Sequence, residues 1–68
     1  MNLETLRALV DVAEHGSFQG AAQARRVPRT KLRRQIERLE AEVGARLLER
    51  SASGVRTTAA GDRVLRRA

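Results

Sequence analysis

From residue 25 to residue 34 the chain carries Arg25, Arg26, Arg29, Lys31, Arg33 and Arg34, and no acid. A guanidinium can grip a phosphate or the O6/N7 edge of a guanine with two parallel bonds, and Thr30 can reach polar edges or a thymine methyl. The competing reading is a solvated Arg-rich face. Asp11, His15 and Ser17 contain the residue types of a nucleophilic triad. A triad needs a nucleophile in a cleft beside an oxyanion hole, and 68 residues offer little material for either. A surface Asp11–His15 pair near a helix C-terminus, with Ser17 capping the next helix, accounts for the same residues. Glu37, Glu40 and Glu42 could suggest a metal site, but they read better as a solvated face. Arg38–Glu42 and Glu42–Arg46 pairs on it would be worth about 0.3 kcal/mol each. With no Gly-rich phosphate loop either, no enzyme activity, metal or cofactor is expected.

These groups need elements to hold them. Leu3, Leu6, Leu9, Val10 and Ala13 recur at helical spacing, with Glu4, Arg7, Asp11 and Glu14 opposite. Asn2 suits the N-cap of this helix and Gly16 its left-handed end. Ser17 can cap a second, short helix carrying Phe18, Ala21 and Ala22, whose small residues let another helix approach closely. Gly20 within it costs about 1 kcal/mol relative to Ala, so a contact there is expected to need the missing side chain. Pro28 suits the first turn of a third helix, over about residues 29–43, which Gly44 ends. Its Leu32, Ile36, Leu39 and Val43 fall within about 60° of one another. Beyond Gly44 the period changes. Residues 47–57 read as a hairpin turning at Ser51, Ala52, Ser53 and Gly54, and Thr58 as the N-cap of a last helix through Val64 and Leu65.

The composition narrows the classes further. Lys and Arg number 14 against 8 Asp and Glu, a formal charge of +6, and Lys31 is the one lysine. With no cysteine, a disulfide scaffold and the common Cys-based zinc sites are excluded, and a cytosolic origin is compatible. No apolar run is long enough to span a membrane, and no signal-peptide pattern opens the chain. Phe18 is the sole aromatic, which leaves the chain poorly equipped to stack single-stranded bases. A basic amphipathic membrane helix is disfavoured by Glu37, Glu40 and Glu42, which would face anionic lipid.

The third helix is basic at its start and acidic further along, opposite to what the helix dipole favours. Opposite its apolar stripe lie Thr30 and Arg34, flanked by Arg33, Lys31 and Glu37. A basic leading turn is what a helix entering the major groove end-on requires. Arg50 and Arg56 flank the hairpin turn, where they could meet DNA backbone or minor groove, or discourage edge pairing. Val64 and Leu65 suit either an intramolecular contact or a dimer interface.

In order and at uncorrupted spacing, nearly the whole chain resembles the start of the LysR-type transcriptional regulators. The first run is Leu3, Leu6, Leu9-Val10, Val12-Ala13-Glu14, Gly16-Ser17-Phe18 and Ala21-Ala22. A second is Arg34-Gln35-Ile36, Leu39-Glu40, Glu42-Val43-Gly44 and Leu47-Leu48-Glu49-Arg50. The series closes with Gly54-Val55-Arg56, Thr58 and Ala60-Gly61. The resemblance implies a mostly α winged helix-turn-helix with a small β-hairpin wing: a three-helix core plus the start of a linker helix. The DNA-binding domain would span residues 1–58, with the helix-turn-helix at about 18–37 and the wing at about 47–57. Residues 59–68 would begin a truncated dimerisation helix.

The implied function is sequence-specific binding of double-stranded DNA in transcriptional regulation. Ser17, Arg29, Thr30, Lys31, Arg33, Arg34, Arg50 and Arg56 are the expected DNA contacts, and Val64 and Leu65 the expected dimer contacts. The implied partners are an interrupted palindrome and a second copy of the chain. The location would be the bacterial cytoplasm, on the nucleoid when bound. The family's downstream effector-binding domain is absent from these 68 residues. The alternative is a winged-helix module for protein interaction or dimerisation without specific DNA readout.

The departures are local. The family commonly has Ser at Pro28, Pro at Thr30, Ser at Arg33, Leu at Thr57 and Pro at Ala59. Pro28 removes a cap hydroxyl, leaving Thr30 to serve a later helix start, and Arg33 adds charge where a small residue is usual. Thr57 and Ala59 imply a softer linker start.

Overall fold

The computed structural model describes residues 2–67. Its elements are α1 (Leu3–His15), α2 (Phe18–Arg25), α3 (Arg29–Val43), β1 (Leu48–Ser51), β2 (Gly54–Thr57) and α4 (Ala59–Arg67). The first three helices enclose a core of Ala8, Leu9, Val12, Ala21, Ala22, Leu32, Ile36 and Leu39, closed from below by Leu47 and Leu48. This is the winged helix-turn-helix arrangement expected from the sequence.

Local chemistry sets the helix ends. Asn2 Oδ1 accepts from the Thr5 N–H at 2.8 Å, and Gly16, at φ 71°, ends α1. Ser17 Oγ accepts from the Gly20 N–H at 2.9 Å and starts α2. A Cβ at Gly20 would lie 2.9 Å from that same Oγ, so the missing side chain makes room for the cap and not for another helix. α3 begins at Arg29 with Pro28 as its N-cap and no side-chain cap bond. Thr30 therefore sits inside the first turn and does not serve a later start.

Two apolar stripes differ from those the spacing predicts. α1 buries Thr5, Ala8, Leu9 and Val12, while Leu3 is 67% exposed and Leu6, Val10 and Ala13 are half-buried. Small Thr5 and Ala8 let α1 lie close to its neighbours, and the Thr5 hydroxyl is satisfied by the Asn2 carbonyl at 3.1 Å. On α3, Leu32, Ile36 and Leu39 are buried, but Val43, in the last turn, is 38% exposed.

The two strands pair antiparallel with Leu48 opposite Thr57, Glu49 opposite Arg56, Arg50 opposite Val55 and Ser51 opposite Gly54. This hairpin is fixed to the helices at both ends. The Val55 N–H donates to the Gly16 carbonyl at 2.9 Å, an approach so close that a Cβ on Gly54 would overlap that oxygen. At the other end Glu40 Oε2 accepts from the Leu47 N–H at 2.8 Å. Thr58 caps α4 as expected: its Oγ1 accepts from the Gly61 N–H at 3.0 Å and donates to the Arg46 carbonyl at 2.6 Å. Gly61 lets α4 approach Leu47, the residue before β1, because a Cβ there would overlap the Leu47 carbonyl oxygen.

Candidate nucleic-acid interface

With Leu32, Ile36 and Leu39 turned to the core, the helical phase of about 100° per residue fixes where the cations of α3 lie. Thr30 and Arg34 occupy the outward crest and both are exposed. Arg29 and Arg33 flank it on the side of the hairpin, where they line a cleft with Ser17 and Arg50. Lys31 and Arg34 line the opposite flank beside Arg38 and the start of α1, where Gln35 Nε2 donates to Glu4 Oε1 at 3.0 Å. The first two turns of α3 thus present cations on three sides of one rod. The positive end of the helix dipole adds to their potential. No acid lies in the first turn to offset it.

Side-chain contacts refine these positions. The Arg33 guanidinium carbon lies 4.8 Å from the centroid of the Phe18 ring. Ser17 uses one lone pair for the α2 cap and keeps its hydroxyl proton to donate. Arg50 and Arg56 fall on opposite faces of the hairpin, since neighbouring residues in a strand alternate and cross-strand partners share a face. Arg50 shares the face of Leu48 and Val55, toward the cleft. Arg56 is on the other face and pairs with Glu49 at 3.4 Å. Val64 and Leu65 are half-buried and pack against the chain's own core. Val64 also lines an apolar groove with Leu6, Val43 and Ala60, edged by Arg63 and Arg67.

Asp11, His15 and Ser17 are each engaged in separate contacts. The Asp11 carboxylate meets Arg25 at 3.3 Å, His15 Nδ1 pairs with the Asp11 backbone carbonyl at 2.8 Å, and Ser17 caps α2. Glu40 is withdrawn from the acidic face to hold β1. Among the described residues no three His, Asp or Glu side chains gather as a metal site would require. No helix among them is long and apolar enough to cross a membrane.

Contacts between elements escape a reading of the sequence, among them Glu40 with Leu47 and Leu48, Phe18 with Arg33, and Asp11 with Arg25. Each joins elements whose relative placement local patterns do not encode. Arg26 also stands out, closing α2 in the left-handed conformation at φ 59° and ψ 43°. Nothing in the residue types there marks Arg26 for this backbone, which favours glycine.

A family model described as bacterial regulatory helix-turn-helix protein, lysR family, matches residues 3–62. The HTH-type transcriptional regulator TfdT of Cupriavidus pinatubonensis is 48% identical over 61 residues, covering 90% of this chain and 27% of TfdT. The chain thus spans about a quarter of the length of that relative. Among solved structures, the complex of the CbnR DBD with DNA superimposes with a TM-score of 0.90 at 39% identity, over 98% of this chain and 77% of that one. The complex of the BenM DBD with benA site 1 DNA gives 0.90 at 40% identity, over 98% and 78%. Fold, exposed basic helix and family match agree: the chain belongs to the LysR family of bacterial regulatory helix-turn-helix proteins.

Proposed function

We propose that this chain binds double-stranded DNA sequence-specifically, as the DNA-binding domain of a LysR-type transcriptional regulator. The observation that carries the reading is the exposed leading end of α3, where Thr30 and Arg34 form the crest of a helix with cations on both flanks. A helix of that shape and charge fits the major groove, and its first turns reach base edges. Residues 18–37 act as the helix-turn-helix and residues 47–57 as the wing, within a domain of residues 1–58.

The residues divide by task. Thr30 and Arg34 read bases. Arg29, Lys31 and Ser17 hold phosphates on the two sides of the groove, Arg33 works from the wing flank, and Arg50 and Arg56 meet the backbone or the adjacent minor groove. Of residues 59–68, those described form α4, a dimerisation helix in which Val64 and Leu65 contribute to the contact with a second copy; residue 68 lies outside the described residues. Two copies would then address an interrupted palindrome, with the bacterial cytoplasm as the place of action. That similar CbnR and BenM domains have been solved in complex with DNA supports DNA binding by this chain.

Selection of bound duplexes from a random pool tests this. The expected outcome is a short consensus, repeated in inverted orientation where the chain dimerises. Affinity for a selected duplex should fall steeply with salt: five neutralised phosphates give a log–log slope of about −4.5, or about 500-fold for a fourfold rise in salt. Enrichment of no sequence, with salt-dependent binding to any duplex, would leave a nonspecific polycation and refute the reading.

A further inference from the structure

We propose that Phe18 is a positioning residue for recognition, holding the Arg33 guanidinium so that it reads one guanine in each bound site. The inference rests on the DNA-binding reading above and adds a specificity determinant to it. Phe18 is the only aromatic residue of the chain. It is half-buried at the start of α2, anchored against the core and by the Ser17 cap. Arg33 reaches across from α3 to set its guanidinium 4.8 Å from the ring centroid. A cation over a ring face is attracted by the ring quadrupole, and a guanidinium can also stack on it through its planar surface. The N–H donors of a guanidinium lie in its plane, so one that rests on a ring by its face keeps them free for a ligand. Among the described residues Arg33 forms no ion pair, so no carboxylate takes up those donors.

The contact favours a base over a phosphate as the target. A phosphate is served by charge and reach, which Arg29 and Arg50 in the same cleft already supply. Holding the orientation of a guanidinium gains most where the acceptor is itself planar and fixed, as are guanine O6 and N7. A side chain already held also loses less rotamer freedom on binding.

The test uses the full chain and a selected duplex in which each guanine is replaced in turn by 7-deazaguanine, which lacks the N7 acceptor. For the unaltered chain, one guanine per site should show about a tenfold loss of affinity that depends on Arg33. Arg33→Lys keeps the charge but not the fork, so it should abolish that preference while leaving the salt slope unchanged. Phe18→Leu, which retains apolar bulk without a ring, should cut the preference at the same guanine to about threefold or less. Phe18→Tyr, which retains the ring, should preserve it, and Phe18→Leu combined with Arg33→Lys should lose no more than Arg33→Lys alone.

The proposal is overturned if Arg33→Lys leaves every guanine preference intact. It is equally overturned if Phe18→Leu folds yet keeps the preference, or weakens all duplexes evenly. Should Phe18→Leu fail to fold, Phe18→Tyr and Arg33→Lys decide it, because loss of the preference in the tyrosine variant also contradicts it. Failure of the unaltered chain to bind any duplex would overturn the DNA-binding reading together with this one; binding with unchanged preferences overturns this one alone.

Discussion

Replacing Glu40 by alanine should loosen the wing from the recognition helix. The Glu40 carboxylate accepts from the Leu47 N–H at 2.8 Å and lies 3.5 Å from the Leu48 nitrogen. Both leucines are buried, and the Glu40 side chain is only 19% exposed, so little water is at hand to replace it. A hydrogen bond to a charged group contributes about 1.5–3 kcal/mol, and a buried N–H left without a partner costs a similar amount. An expected loss of about 2 kcal/mol compares with a total stability of about 3–10 kcal/mol for a chain of this size. At about 4–8 °C per kcal/mol, the thermal midpoint followed by far-ultraviolet circular dichroism should drop by about 8–16 °C. Glu40→Gln keeps a neutral acceptor and should lose about half as much. Arg46 lies 4.0 Å from Glu40 and is 80% exposed, so Arg46→Ala should change stability by less than about 0.5 kcal/mol. A Glu40→Ala midpoint within about 2 °C of the unaltered chain, or a larger drop from Arg46→Ala, would refute the assignment of Glu40 as the tie between α3 and β1.

Other substitutions probe other joints. Arg26→Gly relieves a left-handed backbone at φ 59° and should stabilise the chain by about 0.5–1 kcal/mol in denaturant unfolding, a gain that Arg26→Ala would not give. Gly61→Ala places a Cβ against the Leu47 carbonyl and should cost at least about 2 kcal/mol, seen as a lower midpoint and early loss of α4 amide protection in hydrogen exchange. Arg34→Ala should cost about 1–3 kcal/mol on a selected duplex and much less on random duplex in fluorescence anisotropy titrations. Arg56→Ala should weaken both duplexes about equally and flatten the salt slope by about 1, an effect already reduced by its Glu49 partner.

Much of this molecule is legible in the amino-acid order because its elements are punctuated by local chemistry. Asn2, Ser17 and Thr58 each accept from an N–H three residues on, and Gly16 and Gly44 close helices through contacts of the same short range. The basic leading end of α3 is equally visible, since charge and helical phase are both properties of consecutive residues. What the order hides is contact across elements. Spacing marks Leu3, Leu6, Leu9, Val10 and Ala13 as the stripe of α1, because large side chains carry the pattern. The fold buries small Thr5 and Ala8 where backbones approach. In sequence Glu40 is one of three acids on a solvated face, and only the wing folded back onto it makes it an acceptor for the Leu47 N–H. The opposite faces taken by Arg50 and Arg56 follow from the hairpin register, which fixes what merely flanking a turn does not.

The claim that the leading end of α3 enters the major groove is tested most directly by methylation interference on a selected duplex. Methylation at guanine N7 lies in the major groove, and methylation at adenine N3 lies in the minor groove. N7 methylation of guanines within each half-site should block binding, and Arg34→Ala should relieve the block at one of them. Interference confined to adenine N3, with guanine N7 indifferent throughout, would contradict the account, because the exposed Thr30–Arg34 crest would then be reading nothing.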